Sequence, residues 1–271
     1  MPELPEVETI VRELRREITG KRINHCLVPR ASYLRGQEAG FFIDAVTGKS
    51  IKSIYRRGKY MIWRFDEGGG ILAHLGMTGK YAKIKPEEDS PKHMAARFGF
   101  EGFDLILDDA RRFGRLLYFI EESEAKPLQA MGMEPFSEAF KAEYILKQFQ
   151  SRKRAVKELL LDQSLIAGLG NIYASEILFR AGIHPMKAGK AVTMQDANRL
   201  IFHTRKVLEA AITHNGTTIS DYQQVDGKPG DFQDLLLVYG REGDACPKCG
   251  SLIKRLVSGG RSSYYCEKCQ K

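Results

Sequence analysis

Long hydrophobic runs, tryptophan and cysteine are all scarce in this 271-residue chain. No stretch of about 18 apolar residues is present, which argues against a membrane-spanning helix. The N-terminus has no basic segment followed by an apolar one, so no secretory signal is expected. Internal repeats and low-complexity tracts are also missing. With 43% hydrophobic residues, the sequence is typical of a folded protein long enough for more than one domain.

The five cysteines are unevenly distributed along the chain. Cys26 stands alone, and we expect it to be a small buried hydrophobic residue. The other four form two CxxC pairs separated by sixteen residues, a spacing that suits a metal site in a reducing compartment better than a disulfide framework. One structural Zn²⁺ is therefore predicted, bound by Cys246, Cys249, Cys266 and Cys269. Because protein thiolates would fill all four positions, the ion folds the tail and takes no part in catalysis.

The segment between the two cysteine pairs, GSLIKRLVSGGRSSYY, has the length of a β-hairpin. Its SGGR turn places Arg261 after a Gly-Gly step, with Lys254 and Arg255 on the incoming strand. A rigid finger that ends in arginine is suited to reaching phosphate groups. The alternative on these residues alone is an ordinary solvated hairpin tip.

Basic residues outnumber acidic ones, with a formal charge of +8 and an isoelectric point near 9.2. This balance favours a polyanionic partner without identifying it. QSRKRAVK concentrates basic side chains at Arg152, Lys153, Arg154 and Lys157. LIAGLGNIYASE puts Asn171 at a predicted helix start, where it either caps the helix or donates to a phosphate. Together these segments are typical of helices that meet at turns gripping a nucleic-acid backbone.

Hydrophobic periodicity changes character near residue 131. Residues 23 to about 122 are strand-like, and this many short strands after one helix predict a β-sandwich with flanking helices. Beyond residue 131 the pattern becomes helical, with segments at 137–149, 154–162, 171–182 and 193–216. We expect the first of these to start on Ser137, and the last to open with a Thr193–Asp196 capping box and end on Gly216.

The chain opens with MPELPEVET. Apolar residues at helical spacing predict an amphipathic helix over 6–18, with Pro5 in its first turn, where a missing N–H has no consequence. Residues 1–4 are then expected to form a short extended lead-in beside the positive end of the helix dipole. The alternative is a regular helix start with a frayed end.

The sequence resembles the formamidopyrimidine-DNA glycosylase family along its whole length. The resemblance rests on eight separated blocks in the family's order: PELPEVE (2–8), RRGKY (56–60), HLGMTGK (74–80), RRFG (111–114), GLGNIYASE (168–176), DGKPG (226–230), VYGREG (238–243) and the two CxxC pairs with GGR between them. It implies a multidomain α+β fold and a DNA-repair enzyme that removes oxidised purines and then nicks the strand. Four parts are expected: an N-terminal β-sandwich catalytic domain with flanking helices (1–130), a helix-two-turn-helix domain (131–220), a lid loop for lesion recognition (221–235) and a C-terminal β-hairpin zinc finger (236–271).

The resemblance gives the first residues a chemical role. Removal of Met1 leaves the secondary amine of Pro2 at the N-terminus, and an α-amino group titrates near 8, so a useful fraction is a neutral nucleophile. Its attack on C1′ of the damaged nucleoside would expel the base, form a Schiff base and prepare β,δ-elimination. Glu3 is expected to shuttle protons at the sugar. By resemblance, Lys59 and Arg261 take the acid and phosphate-contact roles that accompany the two eliminations.

Access to the damaged base requires extrusion of its nucleotide from the duplex, which leaves a hole. The resemblance assigns the filling of that hole to Met77, Arg111 and Phe113. For Met77 and Phe113, the alternative is ordinary packing in the core. It assigns contacts with the DNA backbone and the orphaned base to His93, Arg111, Arg152, Lys157 and Asn171.

The resemblance also implies the partner and the setting. Damaged double-stranded DNA is the expected partner, with a monomeric chain, no membrane association and a bacterial cytoplasmic, nucleoid-associated location. The sequence alone leaves two other functions open. An endonuclease VIII-type enzyme would use the same Pro-Glu start on oxidised pyrimidines, although its opening usually reads PEGPE. A non-catalytic zinc-ribbon DNA-binding protein would have no use for the free amine of Pro2.

Overall fold

The computed structural model describes residues 1–219 and 222–271. The chain divides into two compact units, each built from two stretches of sequence. The first unit contains Met1–Gln129 and His214–Gln233, and the second contains Ala130–Thr213 and Asp234–Lys271. Within the described residues, no helix combines the length and the apolar character that crossing a membrane requires.

The elements of the first unit are α1 (Leu4–Ile18), β1 (His25–Leu27), α2 (Ala39–Val46), β2 (Ile51–Arg57), β3 (Tyr60–Phe65), β4 (Gly70–His74), β5 (Lys80–Ile84), β6 (Met94–Phe100), β7 (Phe103–Asp108), β8 (Arg115–Phe119) and α3 (Lys126–Gln129). Their strands form two four-stranded antiparallel sheets at its centre, in the orders β1-β6-β7-β5 and β2-β3-β4-β8. One buried cluster contains residues of both sheets and the inner face of α1, among them Val11, Trp63 and Phe98. The predicted β-sandwich with flanking helices is confirmed.

Three features of the first unit differ from the sequence-based expectation. Helix α1 begins at Leu4, so the extended lead-in is only Met1–Glu3. Helix α2 lies inside the region predicted to be strand-like, because its apolar run FFIDAV carries no clear period. Strand β6 lies within the predicted strand-like region but lacks the alternation that marks a strand with one solvated face, because it is buried from Ala95 to Phe100.

The second unit combines four helices with a two-stranded hairpin. They are α4 (Ala142–Phe149), α5 (Val156–Leu161), α6 (Asn171–Ala181), α7 (Met194–Thr213), β9 (Lys254–Ser258) and β10 (Arg261–Tyr265). Helix α6 ends on Gly182, whose φ of +68° is the left-handed cap conformation that glycine adopts without strain. Cys246, Ile253 and Cys266 of the finger pack in one buried cluster with Phe179 of α6. The finger is therefore part of this unit's core.

The helix boundaries of the second unit test the capping predictions. The Thr193–Asp196 box is confirmed, since each residue's backbone N–H donates to the other's side chain at 3.1 Å. The predicted start on Ser137 is wrong: that residue lies in a turn, where its carbonyl accepts from the N–H of Phe140, and α4 begins only after Lys141. Helix α7 ends at Thr213, short of the predicted Gly216.

Candidate active site

The N-terminal residues are held at the start of α1. Pro2 is buried and Glu3 is 2% exposed, whereas Met1 is 50% exposed. Glu3 is the N-cap, and its backbone N–H donates to Oε2 of Glu6 at 2.7 Å. The other oxygen of Glu6 accepts from the backbone N–H of Thr217 at 2.8 Å. The carboxylate of Glu6 therefore ties the cap of α1 to a segment 211 residues away, and it holds the chain beside Pro2 in one position.

Gly216 makes this contact sterically feasible. Its φ is +81°, and a Cβ placed on it would lie 2.8 Å from Oε1 of Glu6. Any other residue would push the buried carboxylate away from the cap of α1. A glycine after a helical segment predicts a helix end, but no local signal predicts this close approach.

Lys59 lies in the tight turn between β2 and β3, after Gly58, whose φ is +57°. The lysine side chain is largely buried, with 7% of the residue exposed. Strand β4 supplies His74 nearby, whose ring packs on that of Tyr60 at a centroid distance of 4.7 Å. Burial lowers the pKa of His74 to about 4, and the positive charges of Lys59, Arg35 and Arg115 act in the same direction. His74 is therefore neutral at pH 7, and its Nδ1 accepts a hydrogen bond from the N–H of Gly76 at 3.0 Å.

The residues predicted to fill the hole in DNA lie on two adjoining loops of the first unit. Met77 is 37% exposed and Phe113 is 48% exposed, so neither is part of the core. The guanidinium of Arg111 lies 5.2 Å from the centroid of the Phe113 ring. The structure thus brings all three predicted residues to solvent on neighbouring segments, which excludes the core-packing alternative.

Asp109 locks these two loops together. It is fully buried, and its carboxylate accepts from Thr78 Oγ1 and from the N–H of Gly114, both at 2.6 Å. Thr78 Oγ1 in turn accepts from the N–H of Arg111 at 3.1 Å. The N–H of Asp109 donates to the carbonyl of His93 at 3.0 Å, so the predicted phosphate contact at His93 adjoins the same loop. Sequence reasoning did not identify Asp109, although it lies close before RRFG.

The segment around the predicted lid loop packs on the first unit. Tyr222 and Val225 belong to its buried cluster, and the N–H of Val225 donates to Glu13 at 2.6 Å. Burial raises the pKa of Glu13, partly offset by the bond from Val225. Asp221, where the predicted loop begins, lies with Ser220 outside the described residues.

In the second unit, the basic side chains of residues 152–157 differ in their exposure and in their contacts. Arg152 is partly exposed, with Nε donating to the carbonyl of Gln148 at 2.8 Å. Arg154 pairs with Asp162 at 2.9 Å. Lys157 is 2% exposed, and its Nζ donates to the carbonyl of Ser262 at 2.7 Å. The side chain of Lys157 therefore supports the finger hairpin.

Asn171 begins α6 but does not cap it, because the N-cap residue is Gly170. Its Oδ1 is buried without a hydrogen-bond partner among the described residues. Gly168, with φ of +89°, lets the chain turn into the helix, and its N–H donates to Gln163 at 2.9 Å. The capping option for Asn171 is therefore wrong.

The four predicted zinc ligands converge at the base of the finger. All four Sγ atoms lie within 4.8 Å of one another, with Cys246 and Cys269 at 3.9 Å and Cys249 and Cys266 at 3.5 Å. Four sulfurs at about 2.3 Å from one ion would lie about 3.8 Å apart, so the donor set and its spacing fit tetrahedral Zn²⁺. A buried Gln270 braces the second pair by accepting from the N–H of Cys266 and donating to the carbonyl of Ile183.

Arg261 stands at the tip of the hairpin, exposed, as predicted. The turn is a two-residue Gly259-Gly260 loop with φ of +56° and +73°, the conformation that suits a tight antiparallel hairpin. Ser258 is paired directly with Arg261 across the strands. The predicted hairpin is confirmed.

Comparison with known proteins defines the class. Three family models match in chain order: the formamidopyrimidine-DNA glycosylase N-terminal domain (residues 1–116), the formamidopyrimidine-DNA glycosylase H2TH domain (131–223) and a zinc finger found in FPG and IleRS (243–271). The protein is thus of the zinc-finger, helix-two-turn-helix DNA glycosylase class.

Full-length relatives give the family itself. The formamidopyrimidine-DNA glycosylase of Desulfitobacterium hafniense is 42% identical over 272 residues, and that of Novosphingobium aromaticivorans is 43% identical over 274, with both chains fully covered in each case. The crystal structure of MutM (FPG) from Thermus thermophilus matches with a TM-score of 0.90 at 39% identity, over 99% of this chain and 98% of that one. Lactococcus lactis Fpg in complex with DNA containing an abasic site matches at 0.93 and 32%, over 99% of both chains. The chain belongs to the formamidopyrimidine-DNA glycosylase family.

Proposed function

We propose that Pro2 is the nucleophile through which this chain excises oxidised purines from duplex DNA. The chain is a DNA glycosylase with lyase activity at abasic sites, and it acts in base excision repair. The observation that carries the assignment of Pro2 is its setting, because it is buried directly before an N-cap that the carboxylate of Glu6 fixes. A nucleophile must be held to a fraction of an ångström, and this cap supplies that rigidity.

The reaction follows from the chemistry of a secondary amine. Once Met1 is removed, the imino nitrogen of Pro2 attacks C1′ of the damaged nucleoside, and the C1′–N bond to the base breaks with its electron pair leaving on the base. The product is a cationic iminium between Pro2 and the opened sugar. Its positive charge makes the 2′ proton acidic, so loss of that proton expels the 3′ phosphate. A second elimination expels the 5′ phosphate.

Glu3 and Lys59 are proposed to move the protons of these steps. Glu3 is the residue next to the nucleophile and is 2% exposed, and the capping box of α1 holds its carboxylate in place beside Pro2. Lys59, 7% exposed in the β2–β3 turn, supplies the acid. Arg261 of the second unit is assigned the contact with the phosphate at the damaged site, which its exposed position at the hairpin tip suits.

We further assign roles in DNA binding to the exposed loops. Met77 and Phe113 are proposed to fill the space left by the extruded nucleotide, and Arg111 to hydrogen-bond the orphaned base. Contacts with phosphates are assigned to four further residues: His93, Arg152, Lys157 and Asn171. Lys157 also supports the finger hairpin through its bond to Ser262. Homologues have been crystallised with damaged DNA, which supports damaged double-stranded DNA as the partner.

We also propose that the enzyme works in the bacterial cytoplasm, as a monomer on nucleoid DNA. The relatives named above are bacterial proteins, and the net charge of +8 favours a polyanionic partner. The proposed domain organisation has four parts: the β-sandwich (1–130), the helix-two-turn-helix domain (131–220), the lid loop (221–235) and the zinc finger (236–271).

Borohydride trapping tests the nucleophile. The purified enzyme, mixed with a duplex containing 8-oxoguanine, should give a covalent protein–DNA adduct, and Pro2→Gly should abolish it. Pro5→Ala is the matched control, because this second proline of the same helix start has no amine to contribute. A binding protein without catalysis would give no adduct. Preference for a thymine-glycol duplex would instead identify an endonuclease VIII-type enzyme.

A further inference from the structure

Two consecutive residues of α5 hold the finger hairpin on either side of Arg261. Ser258 Oγ donates to Oε1 of Glu158 at 2.5 Å, and Lys157 Nζ donates to the carbonyl of Ser262 at 2.7 Å. Ser258 is the last residue of β9, and Ser262 is the second residue of β10. Helix α5 thus contacts one residue of each strand, next to the turn that carries Arg261.

The hydrogen bond from Ser258 lies directly across the hairpin from Arg261, where it limits the movement of the turn. Ser258 and Arg261 are the register pair that closes the two-glycine turn. Glycines carry the largest conformational freedom of any residue, so the Gly259-Gly260 step does not by itself fix the direction of the turn. The carboxylate of Glu158 also approaches the turn directly, since a Cβ built on Gly259 would lie 3.6 Å from its Oε1. Glu158 and Arg261 line one surface hollow of about 330 Å³.

The charge of Glu158 is offset within the same cluster. An unpaired carboxylate beside a phosphate-binding arginine would repel DNA, but Oε2 of Glu158 lies 3.6 Å from Nε of Arg154. Arg154 also pairs with Asp162. The side chain of Glu158 is 28% exposed, and its second oxygen is used by the Ser258 hydroxyl. Glu158 is therefore placed to support the hairpin and not to contact DNA.

We infer that Glu158 is a positioning residue for the reaction, which orients Arg261 by hydrogen bonding to Ser258. This inference rests on the proposed function, in which Arg261 contacts the phosphate at the damaged site. It predicts that loss of the hydrogen bond slows cleavage without weakening the binding of ordinary duplex, because the other phosphate contacts stay in place.

Single-turnover cleavage of an 8-oxoguanine duplex, with the Kd for undamaged duplex measured alongside, tests this inference. Glu158→Ala and Ser258→Ala should each slow cleavage by about tenfold, the effect of losing one hydrogen bond to a charged group. The Kd should stay within about twofold. Glu158→Gln should restore most of the rate, because its amide oxygen still accepts from Ser258. Glu209→Ala, which removes an exposed carboxylate of α7, is the matched control and should cleave at the wild-type rate.

The double variant with Arg261→Ala separates the possible failures. If Glu158 acts through Arg261, then Glu158→Ala should add nothing to the defect of Arg261→Ala. Wild-type cleavage by folded Ser258→Ala or Glu158→Ala, while Arg261→Ala is slow, would overturn the inference and leave the proposed function intact. Wild-type cleavage by Arg261→Ala would overturn the proposed role of Arg261 and this inference with it. Thermal unfolding of each variant identifies any loss of folded protein, and Ser258→Ala decides the outcome should Glu158→Ala fail to fold.

Discussion

The backbone N–H of Glu3 donates to the carboxylate of Glu6 at 2.7 Å, and this contact fixes the residue that follows the proposed nucleophile. The same carboxylate accepts from Thr217, so a distant segment reinforces the cap. The arrangement explains how an N-terminal residue, normally the loosest part of a chain, can serve as a reacting group.

Replacing Glu6 with alanine should therefore affect both stability and rate. The variant loses one of the two hydrogen bonds of the capping box of α1 and leaves the buried N–H of Thr217 without the Glu6 acceptor, which together should cost about 2–4 kcal/mol of unfolding free energy. Urea denaturation measures this cost, and single-turnover trapping should show slower Schiff-base formation at saturating DNA. Glu17→Ala, which removes a partly exposed carboxylate at the other end of α1, should change neither. Wild-type trapping by a folded Glu6→Ala would contradict the proposed role of the cap.

Met77→Ala should slow excision from duplex DNA by about tenfold, because a wedge that fills the vacated space is lost. The defect should shrink when the damaged base faces a mismatch, since that base is already easier to extrude. Single-turnover kinetics on the two substrates gives the ratio. Met186→Ala, at a methionine of similar exposure in the second unit, should behave as wild type on both. An equal defect on both substrates would argue against the wedge.

Removal of zinc should loosen the second unit and leave the first one folded. The four cysteines hold the finger together, and the buried cluster that contains Cys246 and Cys266 also contains Phe179 of α6. Chelation should therefore raise amide hydrogen exchange in residues 236–271 and in α6, and abolish DNA binding. The strands of the β-sandwich should exchange as before. Faster exchange throughout the first unit would show that the sandwich depends on the metal.

The neutral state of His74 should make the protein less stable in acid. Its pKa is lowered from 6.5 to about 4 by burial and by the neighbouring positive charges. Between these values the unfolded chain binds the proton and the folded one does not, so the stability contribution is fully present above the unfolded pKa and is lost as the pH falls through the folded one. A shift of this size corresponds to about 3 kcal/mol.

Urea denaturation at about pH 7 and about pH 4.5, on either side of the window in which His74 loses its contribution, measures this effect. His74→Asn keeps an acceptor for the N–H of Gly76 but cannot titrate, so its stability should fall less over that range than the wild type's. Parallel curves for wild type and His74→Asn would contradict the assignment.

Local patterns made reliable predictions where the interactions are themselves local. The Thr193–Asp196 box joins residues three positions apart, and the finger hairpin closes on Ser258 and Arg261, which are also three positions apart. The zinc ligands could be predicted because each CxxC pair supplies two thiolates from one turn, and the intervening segment matches a hairpin in length. Ser137 failed as a helix start because its turn offers the same local hydrogen bonds that a cap would make.

The sequence by itself determined the β-sandwich and helical parts, the metal ligands, the family and the residues proposed for chemistry, since these depend on spacing and residue type. The tertiary structure alone decided which side chains support them. Glu6 meets Thr217 across 211 positions, Asp109 meets Thr78 across 31, and Glu158 meets Ser258 across 100. Such pairs depend on how whole elements pack, and no periodicity within one segment encodes them.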